Sequence, residues 1–111
     1  MSMQATQSEI SPQPNPEPSN EIVHKIAQYI VENPVCVFMK GTKKYPECDF
    51  SKTVCRILKF YGVTFKDINV MADANLRQGV KDFSHWPTIP QVYIKEEFIG
   101  GLDIIKEMHE D

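Results

Sequence analysis

The sequence predicts an α/β fold in which helices cover both faces of a four-stranded mixed sheet, a three-layer sandwich. Three observations carry this expectation. The run Val35–Met39, VCVFM, is continuously apolar, as a short strand buried on both faces must be. Apolar residues at helical spacing alternate with strand-like runs in the order α-β-α-β, the order that builds a parallel pair. Nearer the C-terminus, QVYI and FIG (91–94 and 98–100) follow too closely for a crossover helix, so they must form an antiparallel hairpin.

Each element follows in turn. Asn20 is placed to cap a first helix, with Ile22, Ile26, Tyr29 and Ile30 along one face, and Asn33-Pro34 ends it. VCVFM is the first strand, and the loop KGTKKYPE leads from it to Cys48. Phe50, Val54, Ile57, Leu58 and Tyr61 form the apolar stripe of a second helix, which stops at Gly62. VTFKDINV (63–70) is the second strand, and Leu76, Val80 and Phe83 mark a third helix that ends near HWPTIP. The hairpin comes next, and Ile104, Ile105 and Met108 make a last short helix. This order, with one parallel pair and one hairpin, is that of a thioredoxin-like three-layer sandwich.

Composition limits the possible functions. A chain of 111 residues makes one domain. With 12 basic and 15 acidic residues and no basic run, neither nucleic acid nor an anionic membrane is expected as its main partner. No apolar run approaches the ~18 residues of a membrane span. Three cysteines cannot all pair, which points to free thiols and a reducing compartment. Residues 1–20 hold prolines at 12, 14, 16 and 18 and a single isoleucine, so a disordered tail is expected there and a folded domain over 21–111. The tail resembles neither a secretory signal nor an arginine-rich transit peptide, as expected of a mature N-terminus whose presequence is not seen.

The chemistry centres on YPECDFSKTVC (45–55). Cys48 stands between a strand end and a helix start, where backbone N–H groups and the helix dipole favour an anion. Lys40, Lys43, Lys44 and Lys52 add positive potential, a setting of the kind that favours a thiolate, and Asp49 opposes it. A dithiol motif would place a second cysteine three residues on, but that position is Ser51. Cys36 lies within the buried strand as a small hydrophobe. Cys55 is two helical turns beyond Cys48, a rise of about 10.5 Å, against the roughly 4.4–6.8 Å between Cα atoms that a disulfide allows. Cys48 therefore works alone.

Three further features accompany it. In WPTIP (86–90), a cis Ile89-Pro90 bond would leave the Ile89 backbone free to pair with an extended peptide, whereas a trans bond would make an ordinary turn. In GGLD (100–103), the glycine pair admits a close ligand and the N–H groups of Leu102 and Asp103 can hold a carboxylate; the same residues also suit a plain strand-to-helix turn. Arg77 and Lys81 form a cationic edge at i, i+4 on the third helix, an arrangement usual for a solvated face. His24, His85 and His109 are isolated in sequence and carry no assigned role.

Together, VFMKGT (37–42) and LRQGVKDFSHWPTIPQVYIKEEFIGGLDI (76–104) closely resemble the monothiol glutaredoxins, especially the single-domain mitochondrial type, over residues 21–110. The resemblance implies binding of glutathione and, through it, of a [2Fe–2S] cluster shared by two protomers. It implies that Lys40 and Arg77 hold the glycyl carboxylate of glutathione. Ile89, set by Pro90, would pair with its cysteinyl backbone, Leu102 and Asp103 would grip its γ-glutamyl end, and Cys48 would be the redox-active residue and iron ligand. Such a cluster needs four thiolates, and one cysteine plus one glutathione from each protomer supply them. The further implications are a homodimer with the cluster and a monomer without it, exchange with iron–sulfur scaffold and recipient proteins, and a place in the mitochondrial matrix or else the cytoplasm. The expected role is cluster transfer, with weak glutathione-dependent oxidoreductase activity at most; deglutathionylation of protein thiols is the alternative, and a binding module with an idle cysteine a third. The chain departs from the family in three places. CGFS becomes CDFS through Asp49, Leu102 stands where many relatives have cysteine, and Lys95-Glu96 replaces the usual Asn-Gly hairpin turn.

Overall fold

A computed structural model describes residues 20–110. The tail expected over 1–20 lies, apart from Asn20, outside the described residues, as does Asp111. The strand β1 (Val35–Met39) organises the rest. Successive side chains of a strand face opposite ways, and from Cys36 to Met39 all four have no solvent exposure. Cys36 and Phe38 join a core cluster with Ile26 and Ile30 of α1 (Asn20–Glu32) and Leu76 and Val80 of α3 (Ala74–Ser84). Val37 and Met39 join a second cluster with Val54, Cys55 and Leu58 of α2 (Asp49–Phe60) and Ile105 of α4 (Leu102–Glu110). The sheet is thus covered on both faces.

With β2 at Lys66–Asn69, β3 at Gln91–Ile94 and β4 at Glu97–Gly100, strand order is β2-β1-β3-β4. β2 runs parallel to β1, with Ile68 opposite Phe38. β3 runs antiparallel on the other side, with Val92 opposite Val37, and β4 completes the hairpin with an irregularity between Val92 and Tyr93. This is the expected thioredoxin-like architecture with a four-stranded mixed sheet. Among the described residues no helix is long and apolar enough to cross a membrane.

Some local expectations change. Asn20 is the first residue of α1 rather than its cap. The second strand is shorter than VTFKDINV at both ends: pairing with the first strand begins only at Lys66, opposite Cys36, and after Asn69 the chain enters a 3-10 turn at Val70–Ala72. Phe50 and Tyr61 share the helical period of the α2 core stripe, yet they are 62% and 55% exposed. The reason is where α2 starts and stops. Ser51 already faces Lys40, the residue after β1, so the first turn of α2 projects past the strand end, and Tyr61 is the C-cap at the other end. Met108 is likewise exposed near the end of α4.

Candidate functional site

Cys48 is the N-cap of α2, in extended backbone at φ −150° and ψ 155°. Its Sγ accepts the Ser51 N–H at 3.3 Å, and its thiol donates to Ser51 Oγ at 3.3 Å. Ser51 is fully buried, and its Oγ also accepts the Lys40 N–H at 3.1 Å. Once Cys48 loses its proton, the hydroxyl can turn and donate to sulfur, so the thiolate meets an N–H and an O–H from one residue. The position that would hold a second thiol in a dithiol motif instead anchors the first to the end of β1.

The other cysteines are unsuited to ionic chemistry. All three are free. Burial pushes the Cys36 thiol up to about 12, against a smaller opposing pull from Lys66. Burial also raises Cys55, whose thiol donates to Met39 Sδ at 3.6 Å. Cys48 is half-buried and separated from Cys55 by unbroken helix.

The loop from Lys40 to Glu47 is firmly tied. The Gly41 N–H donates to Asn69 Oδ1 at 2.9 Å and the Glu47 N–H to the Lys40 carbonyl at 2.9 Å. Gly41 has φ 88°, and a Cβ there would lie 2.5 Å from the Tyr45 carbonyl, so this corner requires glycine. Lys43 corrects the expected cation field. Its Nζ donates to the Phe65 carbonyl at 2.6 Å and lies 4.6 Å from the Phe65 ring centroid, while its N–H donates to Asp67. It braces the start of β2 instead of facing the thiol. Lys44 Nζ lies over the Tyr45 ring. Among the described residues no acid pairs with the Lys40 side chain, and the Lys40 backbone N–H is the group that meets Ser51 Oγ.

Beside the thiol end of α2 lies a cavity of about 360 Å³, lined by Phe50, Trp86, Thr88, Ile89, Pro90 and residues 101–104. The Ile89-Pro90 bond is cis. Neither the N–H nor the C=O of Ile89 has a partner among the described residues. The Leu102 and Asp103 N–H groups open the first turn of α4, where no helical carbonyl precedes them. A Cβ on Gly101 would lie 3.1 Å from the Pro90 carbonyl, so the two walls approach closely at that point. Gln91, fully buried, donates through Nε2 to the carbonyls of Trp86 and Thr88 at 3.1 and 3.2 Å, fixing one wall.

The structure therefore brings Ile89, Pro90, Leu102 and Asp103 together in one cavity, with Phe50, two residues after Cys48, as its border. Lys40, Cys48 and Arg77 do not line that cavity. Arg77 donates through Nη1 to Met71 Sδ at 3.5 Å, and its neighbour Lys81 contributes its carbonyl to the Trp86 N–H. Phe50, Ser51, Trp86, Thr88 and Gln91 had no assigned site role from sequence. Trp86 and Thr88 belong to WPTIP itself, but Phe50 was hidden by its core-like spacing. Of the histidines, His85 takes the left-handed cap of α3 at φ 58°, and His109 Nδ1 meets Tyr61 Oη at 2.8 Å. Among the described residues no three His, Cys, Asp or Glu side chains converge as a metal site.

A mixed four-stranded sandwich with one half-buried thiol capping a helix, beside a cis-proline loop, defines a thiol protein of the thioredoxin-like class. The chain belongs to the glutaredoxin family, whose model, Glutaredoxin, matches residues 35–99, and within it to the monothiol glutaredoxins. It is 51% identical over 87 residues to the "Uncharacterized monothiol glutaredoxin ycf64-like" of Synechocystis sp., covering 78% of this chain and 81% of that one. It is 48% identical over 93 residues to "Monothiol glutaredoxin-5, mitochondrial" of Lachancea kluyveri, covering 81% of this chain and 65% of the relative. The solution structure of reduced poplar apo GrxS14 superposes with a TM-score of 0.70 at 44% identity, covering 78% of this chain and 80% of that one.

Proposed function

We propose that this chain binds glutathione and carries a [2Fe–2S] cluster as cargo between iron–sulfur assembly proteins. One observation carries the reading: each chain offers a single accessible thiol, Cys48, with its other cysteines buried and no second ligand set among the described residues. Four thiolates are required, so three must come from outside the chain. A glutathione held beside each Cys48, in a dimer of two chains, supplies them. The cavity fits such a ligand in kind. At about 360 Å³ it is within the roughly 300–1,000 Å³ usual for small-molecule sites. Its free Ile89 backbone suits a peptide, and the first N–H groups of α4 suit a carboxylate. Lys40 and Arg77 are then the cations for the second carboxylate of the tripeptide, and dimerisation follows cluster binding.

Ser51 favours a second activity at the same atom. A thiolate held by its N–H and O–H can attack the sulfur of a glutathionylated protein, releasing the protein thiol and leaving glutathione on Cys48. A second glutathione thiolate then frees the enzyme as oxidised glutathione departs. With no second cysteine in reach, this route depends wholly on external glutathione, which keeps it secondary to cluster transfer. The mitochondrial name of the Lachancea kluyveri relative supports a mitochondrial matrix location.

Anaerobic reconstitution with iron and sulfide, with and without glutathione, tests the reading. Visible absorbance and a dimer on gel filtration are expected only with glutathione. Cys48→Ser should abolish both, while Cys55→Ser should preserve them. Full cluster loading without any small thiol would refute the proposed ligand set.

A further inference from the structure

Met71 lies in the 3-10 turn between β2 and α3 and is 43% exposed. Arg77 donates to its Sδ at 3.5 Å. The turn is held in place because Asn69 Oδ1 accepts both the Met71 N–H and the Gly41 N–H, each at 2.9 Å. The thioether therefore sits at the seam that joins the Lys40–Gly41 corner to α3, against one of the two cations assigned to glutathione. A thioether sulfur is a weak acceptor, so a carboxylate readily draws the guanidinium away from it. The other described methionines differ. Met39 is fully buried, and Met108 is exposed near the end of α4.

We propose that Met71 is a site of reversible oxidation whose sulfoxide competes for Arg77 and lowers the affinity of the chain for glutathione. The oxidant is a peroxide. Its oxygen passes to Sδ as the sulfur lone pair forms the S–O bond and the O–O bond breaks. With hydrogen peroxide the displaced hydroxide takes up the proton carried over on the transferred oxygen and leaves as water. Sulfur gives up two electrons and the peroxide gains them. The new oxygen is a strong acceptor beside a permanent cation, so Arg77 is held where before it was only touched. Thiol-dependent methionine sulfoxide reductases reverse the change. The inference rests on the reading of Arg77 as a glutathione-binding residue.

The test uses the full chain carrying Cys48→Ser, so that the exposed thiol cannot be oxidised. Dilute hydrogen peroxide is added, oxidised methionines are mapped by peptide mass, and glutathione affinity is measured by calorimetry before treatment, after it, and after reduction by sulfoxide reductases. Oxidation should weaken binding by about threefold to tenfold, the scale of one perturbed charge-assisted hydrogen bond, and reduction should restore it. Adding Met71→Leu should remove the response to peroxide. Adding Arg77→Ala should weaken binding from the outset and leave peroxide without further effect. Unchanged affinity with Met71 fully oxidised overturns the proposal, as does an equal loss in the Met71→Leu protein, or a Met71 that stays unmodified while Met108 is oxidised. If Arg77→Ala binds as tightly as its parent, the assignment of Arg77 to glutathione fails first; if it binds weakly while the sulfoxide form does not, only the proposed switch fails.

Discussion

Asp49 opens α2 with an exposed carboxylate next to the capping cysteine. A helix N-terminus welcomes that charge by around 0.3–1 kcal/mol, with or without cargo. In the proposed cluster-bound dimer, however, two such carboxylates would face a cluster held by four thiolates. Unit charges about 7 Å apart repel by roughly 0.6 kcal/mol in water, and by a few times that where solvent is partly excluded. Only this repulsion distinguishes holo from apo. Asp49→Gly should therefore lengthen cluster lifetime by about threefold or more, with apo stability level or slightly lower. The gain should shrink at high salt, because screening acts over about 8–10 Å. Decay of the visible absorbance at low and high salt checks this; faster decay in Asp49→Gly would mean that the carboxylate supports the cluster.

At the scale of the element, the β3–β4 hairpin holds the least favourable local backbone. Lys95 and Glu96 both adopt positive φ, 51° and 69°, the two left-handed residues of a type I′ turn built without glycine. Tertiary contacts hold the turn in place: the Lys95 N–H donates to the Pro34 carbonyl at 2.7 Å, and Tyr93 packs against Phe98 across the hairpin. Glu96→Gly keeps the backbone and removes the Cβ conflict. It should raise stability by about 0.4–1 kcal/mol, read as a higher urea midpoint with unchanged slope. A lower midpoint would show that the Glu96 side chain contributes more than its backbone costs.

For the molecule as a whole, the core holds three acids in their neutral forms. Burial pushes the Cys36 thiol from 9.0 to about 12 and the Tyr93 hydroxyl from 10.0 to about 12, and it raises Cys55 as well. Among the described residues the Tyr93 hydroxyl meets no partner at full hydrogen-bond geometry; the nearby Ser84 hydroxyl, which donates to the Lys81 carbonyl, opposes the effect of burial only in part. Each group binds its proton more tightly folded than unfolded. Its contribution to stability is complete below the unfolded value, 9.0 for the two cysteines and 10.0 for Tyr93, and is lost as pH rises through the folded value, about 12 for Cys36 and Tyr93. Stability should therefore fall above pH 9 by about 1 kcal/mol per pH unit for each group engaged. Urea melts at pH 8 and pH 10.5 measure the fall, and Cys36→Ala should make it shallower. An equal fall in that variant would place the alkaline sensitivity elsewhere.

The sequence by itself determined the layers and the lone thiol. VCVFM can only be a strand covered on both faces, and seven residues of helix keep Cys48 from Cys55; both facts are local, set by the strand period and helical rise. The cysteine's place at a helix start followed in the same way from the loop before it and the apolar stripe after it. What only the tertiary structure decided was which side chains meet across elements. Phe50 and Val54 share one helical stripe, yet only Val54 is buried, because β1 ends before the first turn of α2. Lys43 looked like part of the field around the thiol, but the start of β2 supplies a carbonyl and an aromatic face that take its charge. The cis state of Ile89-Pro90 is left open by the sequence, and its loop is anchored by Gln91, which reaches carbonyls only three and five residues back from its buried place in β3. Met71 meets Arg77 six residues away and across a turn whose shape Asn69 fixes. Helix and strand periods reveal how a side chain leaves its own backbone, but what it then touches depends on where neighbouring elements end, and that is set by the packing of the whole chain.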